Sequence, residues 1–426
     1  MIQYPVIMLH NLVLSLSDAI DLIHPIAAAH QQRVAYLGLR LARKIGFETN
    51  DLSDLMYAAA LHDIGILTIE EKIDMMRVDV RETDSHVTLG ADLLGGFSLF
   101  RSASEIVRLH HDKWDPEGVH AEASRKTALL GNIVHLADCV ERRIRKDQPI
   151  LGQVRAILDY VDSKGGEEFS PDLLPCIHDL SREEAFWLDL SSRRIYSVLL
   201  KAIDWPRVEL SMEGLEGIGA VFSRVVDFRS AFTATHSIGV ATTAEELARR
   251  MNFGQRERRL MRVAGYLHDL GKVAVPNSIL EKPAKLDAAE FDVIRGHTYH
   301  TYNILESIGG FEEINLWASL HHERMDGSGY PLRIPGENLS LGSRIMMVAD
   351  VFTAVTEIRP YRRGSNRDET IAILKALVKR GGLDDAIVRT LIEGYDENDR
   401  LRSEAQAEYA IEYERRFGRA YRAVDP

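Results

Sequence analysis

Seven histidine and aspartate positions recur, in the same order, twice along this 426-residue chain. The first set is His30, the pair His62-Asp63, His86, the pair His110-His111, and Asp138. The second is His236, His268-Asp269, His297, His321-His322 and Asp350. The step from the first histidine to the His-Asp pair is 32 residues in both sets, and the step from the lone histidine to the His-His pair is 24 in both. The last step, to the aspartate, is 27 residues in one set and 28 in the other. Random placement of 16 histidines would not reproduce these steps. A chain of this kind has to fold as a tandem repeat that presents one ligand arrangement twice.

The similarity extends beyond the ligands. At an offset of 206 residues Val34 matches Val240, Ala35 matches Ala241, Leu41 matches Leu247, and Phe47 matches Phe253. Leu61 to Gly65 reads like Leu267 to Gly271, and Ala137-Asp138 like Ala349-Asp350. Apolar residues fall at helical spacing throughout and strand signals are scarce, so the expected fold is all-α, two helical domains in tandem. The run 162–168 reads as a loop, 181–192 as a helix, and Trp205-Pro206 as a break. The boundary falls between 200 and 212, giving domains 1–205 and 206–426. The charged tail from about 383 onward reads as helix with a solvated face.

Composition narrows the function. A net charge of −12 argues against a nucleic-acid polymer or a membrane surface as partner, while leaving room for an anionic small substrate in a local cationic pocket. Two cysteines, Cys139 and Cys176, imply no disulfide framework and fit a cytoplasmic protein. The apolar N-terminal stretch is interrupted by His10, Asn11 and Asp18 and reads as an amphipathic or core helix. The working expectation for assembly is a homodimer, for which no residue pattern argues.

In the second set an adjacent His-Asp pair suits a two-ion centre, because Asp269 can bridge both ions while His268 binds one. Water activated between two such ions would attack phosphorus. Lys272, about one turn from Asp269, can reach a phosphate oxygen. In the run from His321 to Pro331, Gly327 and Gly329 allow a loop to fold closely over a ligand, and Tyr330 adds an aromatic face. Arg359, Arg362 and Arg363 suit phosphate binding.

From about 212 to 375 the chain resembles an HD-GYP domain, a branch of the HD metal-dependent phosphohydrolases. The resemblance rests on LHDLGK (267–272), VPNSILEKP (275–283), HHERMDGSGYP (321–331), RIMMVADVFTA (344–354) and RPYR (359–362). It implies a phosphodiesterase acting on a cyclic dinucleotide, cyclic di-GMP first and 3′3′-cyclic GMP-AMP a close second. It also implies two divalent transition metals, iron or manganese, in the C-terminal domain. Carried over by position, the metal ligands would be His236, His268, Asp269, His297, His321, His322 and Asp350. Asp269 and Lys272 would be catalytic. Lys272, Asp326, Gly327, Gly329, Tyr330, Arg359 and Arg362 would meet the substrate. Three positions depart from the family pattern. Phe232 stands where three-metal relatives carry a glutamate. Thr353 stands where a supporting aspartate is usual. Thr301 replaces a glycine, with no consequence legible in the sequence.

The first set keeps every ligand position as a second candidate metal site: His30, His62, Asp63, His86, His110, His111 and Asp138. What handles substrate is missing. Ile66 stands in place of Lys272, and the glycine loop becomes HHDKWDPEGVH (110–120). The expectation is a degenerate HD domain that stabilises or regulates. Rival readings of the whole chain are a non-catalytic cyclic-dinucleotide-binding module and a generic HD nucleotide phosphohydrolase.

Overall fold

The computed structural model describes residues 7–22, 28–66, 85–115, 124–202, 205, 208–227, 235–282, 284–357 and 363–421, with the side chains at 85, 413 and 416–421 left aside. The fold is all-α, and no β-strand occurs among the described residues. The chain divides into two compact units, one of residues 8–208 with 420–426 and one of 209–419 with 1–7.

The first unit opens with α1 (Leu9–Asp21), α2 (His30–Ile45) and α3 (Thr49–Leu61). Then come α4 (Ser85–Gly95), α5 (Arg101–Arg108) and α6 (Arg125–Arg142). Helices α7 (Val154–Lys164), α8 (Leu173–Ser181), α9 (Glu184–Leu190) and α10 (Ile195–Ala202) complete it. Helix α7 takes in residues 162–164 of the expected loop, so the turn is confined to 165–168, where Gly166 sits at φ 81°. Helix α1 is a core helix, with Leu9, Leu12, Val13, Leu14 and Leu16 all buried.

The second unit repeats this plan. Helix α11 (Met212–Asp227) corresponds to α1, α12 (His236–Arg250) to α2, and α13 (Gln255–Leu267) to α3. A short α14 (Asn277–Leu280) precedes α15 (Ala288–Glu306), α16 (Glu312–Ser319) and α17 (Leu341–Thr356), the counterparts of α4, α5 and α6. Helices α18 (Arg367–Lys379), α19 (Asp385–Glu393) and α20 (Tyr395–Tyr421) follow. Packing repeats as well: α2 lies on α3 and α6, and α12 lies on α13 and α17.

Local chemistry sets the helix ends that matter. Helices α2 and α12 stop at equivalent left-handed positions, Gly46 (φ 100°) and Asn252 (φ 63°), residue types that tolerate that region. The helices bearing the last aspartates are both serine-capped, by Ser124 on Thr127 N–H at 3.1 Å and by Ser340 on Ser343 N–H at 3.0 Å. An Asp287–Glu290 capping box starts α15.

The tail departs from the solvated-face expectation. Tyr395, Asn398, Arg402 and Gln406 form a buried stripe along α20. Arg402 donates to Gln406 and to Asp399, so a stripe that reads as polar in sequence can still face inward.

Candidate metal centres

The duplicated topology puts each ligand at a helix end or on an inward face. His30 and His236 are the first residues of α2 and α12. The His-Asp pairs follow directly at the ends of α3 and α13, and the His-His pairs follow α5 and α16. His86 and His297 lie within α4 and α15, and Asp138 and Asp350 within α6 and α17. Two glycines make this convergence tight. A Cβ at Gly65 would stand 2.1 Å from His86 O, and one at Gly271 2.0 Å from His297 O, so the turn after each His-Asp pair can touch the next ligand helix only as glycine.

In the second unit Asp269 lies at the middle. Its Oδ2 is 3.2 Å from His268 Nε2, and its Oδ1 is 3.3 Å from His297 Nε2 and 3.9 Å from His321 Nε2. One carboxylate thus turns an oxygen toward each of two histidine groups, the geometry a bridging ligand requires. Asp350 turns Oδ1 to His236 Nε2 at 3.3 Å and Oδ2 toward His322 Nδ1 at 3.8 Å. Three imidazoles are aimed by their own helices: Nδ1 lies 2.8 Å from Gly265 O in His268, 2.6 Å from Ile294 O in His297, and 2.6 Å from Ala318 O in His321. Each donor–acceptor pair spans three residues and leaves Nε2 pointing inward. His268 Nε2 is buried and, among the described residues, makes no hydrogen bond, which is costly unless an ion receives it. Three overlapping ligand clusters among the described residues fit a cation: His236 with His268 and Asp350, His268 with Asp269 and His321, and His297 with His321 and His322.

Electrostatics agree with that fit. Burial alone would raise the Asp269 pKa, but His268 and Lys272 hold its carboxyl well below the usual range. Burial pushes His321 well down and His322 down to about 3, giving the neutral imidazoles that bind metals. His236 behaves oppositely. Burial would lower it, but Glu357 and Asp350 outweigh burial and push it up to about 10, so this corner draws in positive charge.

The side facing solvent is the one expected to meet substrate. The His322 and Lys272 side chains are 26% and 21% exposed, against 4% or less for Asp269, His268, His297 and His321. Lys272 Nζ lies 2.6 Å from Asp269 Oδ2. The Tyr330 ring sits 5.0 Å from His322 and 6.4 Å from the exposed Phe291, with the Arg295 guanidinium 5.2 Å from its centre. Gly327 takes φ 75°, and a Cβ at Gly329 would meet Glu323 Cα at 2.4 Å, so both glycines are needed for the loop's path. Asp326 is engaged in the turn itself, accepting from Ser328 N at 2.9 Å and Ser328 Oγ at 2.6 Å. Arg359, Arg362 and Phe232 lie outside the described residues.

Sequence reasoning missed three supports. Glu323, fully buried, accepts from the backbone N–H groups of Leu332, Arg333 and Ile334 at 2.7, 3.0 and 3.0 Å and thereby closes the glycine loop. The second is Thr301, which does have a consequence. Its hydroxyl accepts from Gly271 N at 2.9 Å and donates to His268 O at 3.2 Å, locking the turn that carries Asp269. The third is the pair Asp21 and Asp227, 206 residues apart at the ends of α1 and α11. Asp21 accepts from Gln31 N at 3.2 Å and Asp227 from Ser237 Oγ at 2.8 Å, each next to the first histidine of its unit. Extending the repeat alignment upstream of His30 would have found that pair.

The first unit brings its seven residues together in the same order. His30 Nε2 is 3.4 Å from both Asp63 Oδ2 and Asp138 Oδ1, His62 Nε2 is 3.3 Å from Asp63 Oδ1, and His86 Nε2 is 4.0 Å from that oxygen. The clusters His30, His62, Asp63 and His86, His110, His111 each fit a cation. Competitors sit on both carboxylates: Gln31 Nε2 donates to Asp63 Oδ2 at 3.0 Å, and Arg142 Nη1 to Asp138 Oδ2 at 3.2 Å. Ile66, where the second unit has Lys272, is buried.

An all-α unit with buried imidazoles and carboxylates convergent at its helix ends defines a class of metal-binding helical domains, and this chain holds two. Residues 27–143 and 220–387 each match the HD domain. The chain belongs to the HD-domain family and carries the domain twice. It is similar to 3′3′-cGAMP-specific phosphodiesterase 1 of Vibrio cholerae, at 28% identity over 86% of this chain and 88% of that protein. It is similar to 3′3′-cGAMP-specific phosphodiesterase 3 of the same organism, at 25% identity over 86% and 90%. The cyclic di-GMP phosphodiesterase response regulator RpfG of Xanthomonas campestris is 37% identical over 40% of this chain and 46% of that protein. The crystal structure of the cyclic GMP-AMP specific phosphodiesterase V-cGAP3 of V. cholerae matches with a TM-score of 0.62 at 22% identity, covering 92% of this chain and 98% of that one, which supports the tandem fold. No helix among the described residues is long and apolar enough to cross a membrane.

Proposed function

We propose that this chain is a metal-dependent phosphodiesterase that opens a cyclic dinucleotide to its linear form, with residues 206–426 as the HD-GYP-type catalytic domain and 1–205 as a degenerate HD domain. The observation that carries the reading is Asp269, whose two oxygens face separate histidine groups beside the partly exposed His322, Lys272 and Tyr330. When bound, two divalent ions, iron or manganese, would supply Lewis acidity at phosphorus and lower the pKa of the attacking water. His236, His268, His297, His321, His322, Asp269 and Asp350 would hold them. Lys272 is placed to donate to a phosphate oxygen as charge builds on it. The Tyr330 face, flanked by Phe291 and Arg295, suits a stacked base. Arg359 and Arg362 are assigned phosphate contacts from their RPYR motif alone.

For substrate we place 3′3′-cyclic GMP-AMP ahead of cyclic di-GMP. The relatives aligned over 86% of the chain, both units included, carry cGAMP in their names, whereas RpfG aligns over 40%. We assign the protein to the cytoplasm, with a homodimer as its working assembly. The test is anaerobic hydrolysis of cyclic di-GMP, cyclic di-AMP and 3′3′-cyclic GMP-AMP by protein loaded with Fe(II) or Mn(II), with Asp269→Ala as control. Turnover that vanishes in the control supports the enzyme and ranks its substrates. Tight binding without turnover by metal-loaded protein would favour a nucleotide-sensing module instead.

A further inference from the structure

The two units aim their first histidine by different means. In the first, His30 meets three carboxylates, Asp63 Oδ2 and Asp138 Oδ1 each 3.4 Å from Nε2 and Glu141 Oε2 2.6 Å from Nδ1. Asp138 and Glu141 are three residues apart on one face of α6. The other oxygen of Glu141 accepts from Arg33 Nη1 at 3.1 Å, and Arg33 follows His30 by three residues in α2. His30, Arg33, Asp138 and Glu141 all lie on two adjoining helices, α2 and α6, and Lys146 Nζ adds a contact to Glu141 Oε1 at 3.7 Å from just beyond α6.

In the second unit both supporting residues are gone. The counterpart of Glu141 is Thr353, fully buried, with a hydroxyl that finds no hydrogen-bond partner among the described residues. The counterpart of Arg33 is Gly239. Yet His236 too is met by a carboxylate on each ring nitrogen. Asp350 Oδ1 lies 3.3 Å from Nε2 and Glu357 Oε2 lies 3.1 Å from Nδ1. Glu357, the residue that ends α17, lies seven residues, about two helical turns, beyond Asp350, which brings its side chain back to the side that faces His236. Glu357 Oε1 accepts from Gln406 Nε2 at 2.7 Å, and the same nitrogen donates to Thr235 O at 3.0 Å. Gln406 comes from α20, 49 residues beyond Glu357 in sequence. A Cβ at Gly239 would stand 2.7 Å from Gln406 Nε2 and 2.9 Å from Thr353 Cγ2, so the glycine provides the space that Gln406 fills.

We propose that Glu357 is a positioning residue for His236, held in place by Gln406, so that the C-terminal helix sets how well the second centre binds a divalent cation. The proposal rests on the reading of His236 as a metal ligand. A carboxylate on Nδ1–H fixes the tautomer that leaves Nε2 free for an ion and makes that nitrogen a better donor. A carboxylate as buried as that of Glu357, 7% exposed, is stable only while donors such as His236 and Gln406 meet it. Gln406 therefore couples α20 to the ligand without touching the ion.

The test uses the full chain and Co(II) or Mn(II) alone as probes, read by calorimetric affinity and by the Co(II) ligand-field spectrum. Glu357→Gln is expected to weaken binding about 10- to 100-fold and to shift the Co(II) bands, and Gln406→Leu to do so less. Glu357→Asp, or Thr353→Glu in the Glu357→Gln background, should restore part of the affinity. Asp269→Ala separates the two levels of argument. If it too leaves affinity unchanged, the metal centre itself is misassigned. If it abolishes binding while Glu357→Gln and Gln406→Leu match the parent in affinity and spectrum, the positioning role is overturned. Should Glu357→Gln fail to fold, Gln406→Leu alone decides.

Discussion

Beside Asp269 the second unit sets a partly exposed lysine, while beside Asp63 the first sets a glutamine and a buried isoleucine. Asp138 is paired with Arg142 inside its own helix, whereas Asp350 has the partly exposed His322 on its second oxygen. The same seven ligand positions are thus embedded in opposite surroundings. The first unit spends its cation and amide on satisfying its own carboxylates. The second also sets its cation on its own carboxylate, with Lys272 Nζ 2.6 Å from Asp269 Oδ2, but on the partly exposed side where a phosphate would arrive. The comparison teaches that a ligand set alone does not define an active centre; the charges next to it decide whether it can receive an anionic substrate.

The strongest way to break the comparison is to remove the central aspartate from each unit. Asp269→Ala should abolish cyclic dinucleotide hydrolysis, a loss on the order of 10³-fold from several kcal/mol of missing charge stabilisation. Asp63→Ala should leave that turnover near the parent value. Parallel kinetics on the two variants check this, and equal losses would make the first centre a working part of the reaction. Next in size is Lys272→Ile, which gives the second unit the first unit's residue. A fall of about 10²-fold in kcat/KM with metal content unchanged is expected.

Proton competition sharpens the picture further. With His236 pushed up to about 10 by its two carboxylates, once their effect outweighs burial, an ion must displace a proton anywhere between pH 6 and 8. Binding therefore weakens as pH falls, by about tenfold per unit for one proton displaced. Competitive Mn(II) titrations at pH 6, 7 and 8 measure that slope, and a flat profile would show His236 already deprotonated. The smallest effect belongs to Thr301→Gly, which installs the residue of the first unit, Gly90. Losing the two hydrogen bonds to Gly271 and His268 should lower stability by about 1–2 kcal/mol, read by denaturant unfolding.

Much of this was legible in the sequence. The ligands, the glycine loop and the repeated helices announce themselves through spacing, because they are local features of a duplicated segment. Glu323 was not, since a carboxylate that binds backbone N–H groups nine to eleven residues on leaves no periodic trace. Thr301 read as a neutral change because its value lies in a turn that reaches it from 30 residues away. The tail was misjudged for a related reason: Asn398, Arg402 and Gln406 look solvated one by one, yet each lies on the buried side of α20. A clue was present nonetheless. Glu141 aligning with Thr353 signals a missing carboxylate, and the nearest one on the same face is Glu357.

Gln406 also reaches back 171 residues to Thr235, at the root of the helix that begins with His236. On a ribosome the consequence is an order of assembly. The first unit can close the grip on its first histidine once residue 141 has emerged, from parts that lie on neighbouring helices. The second waits for α20, whose Gln406 lies 49 residues beyond Glu357. Translation thus finishes the cation pocket with the larger catalytic promise only after the helices that carry its ligands have emerged.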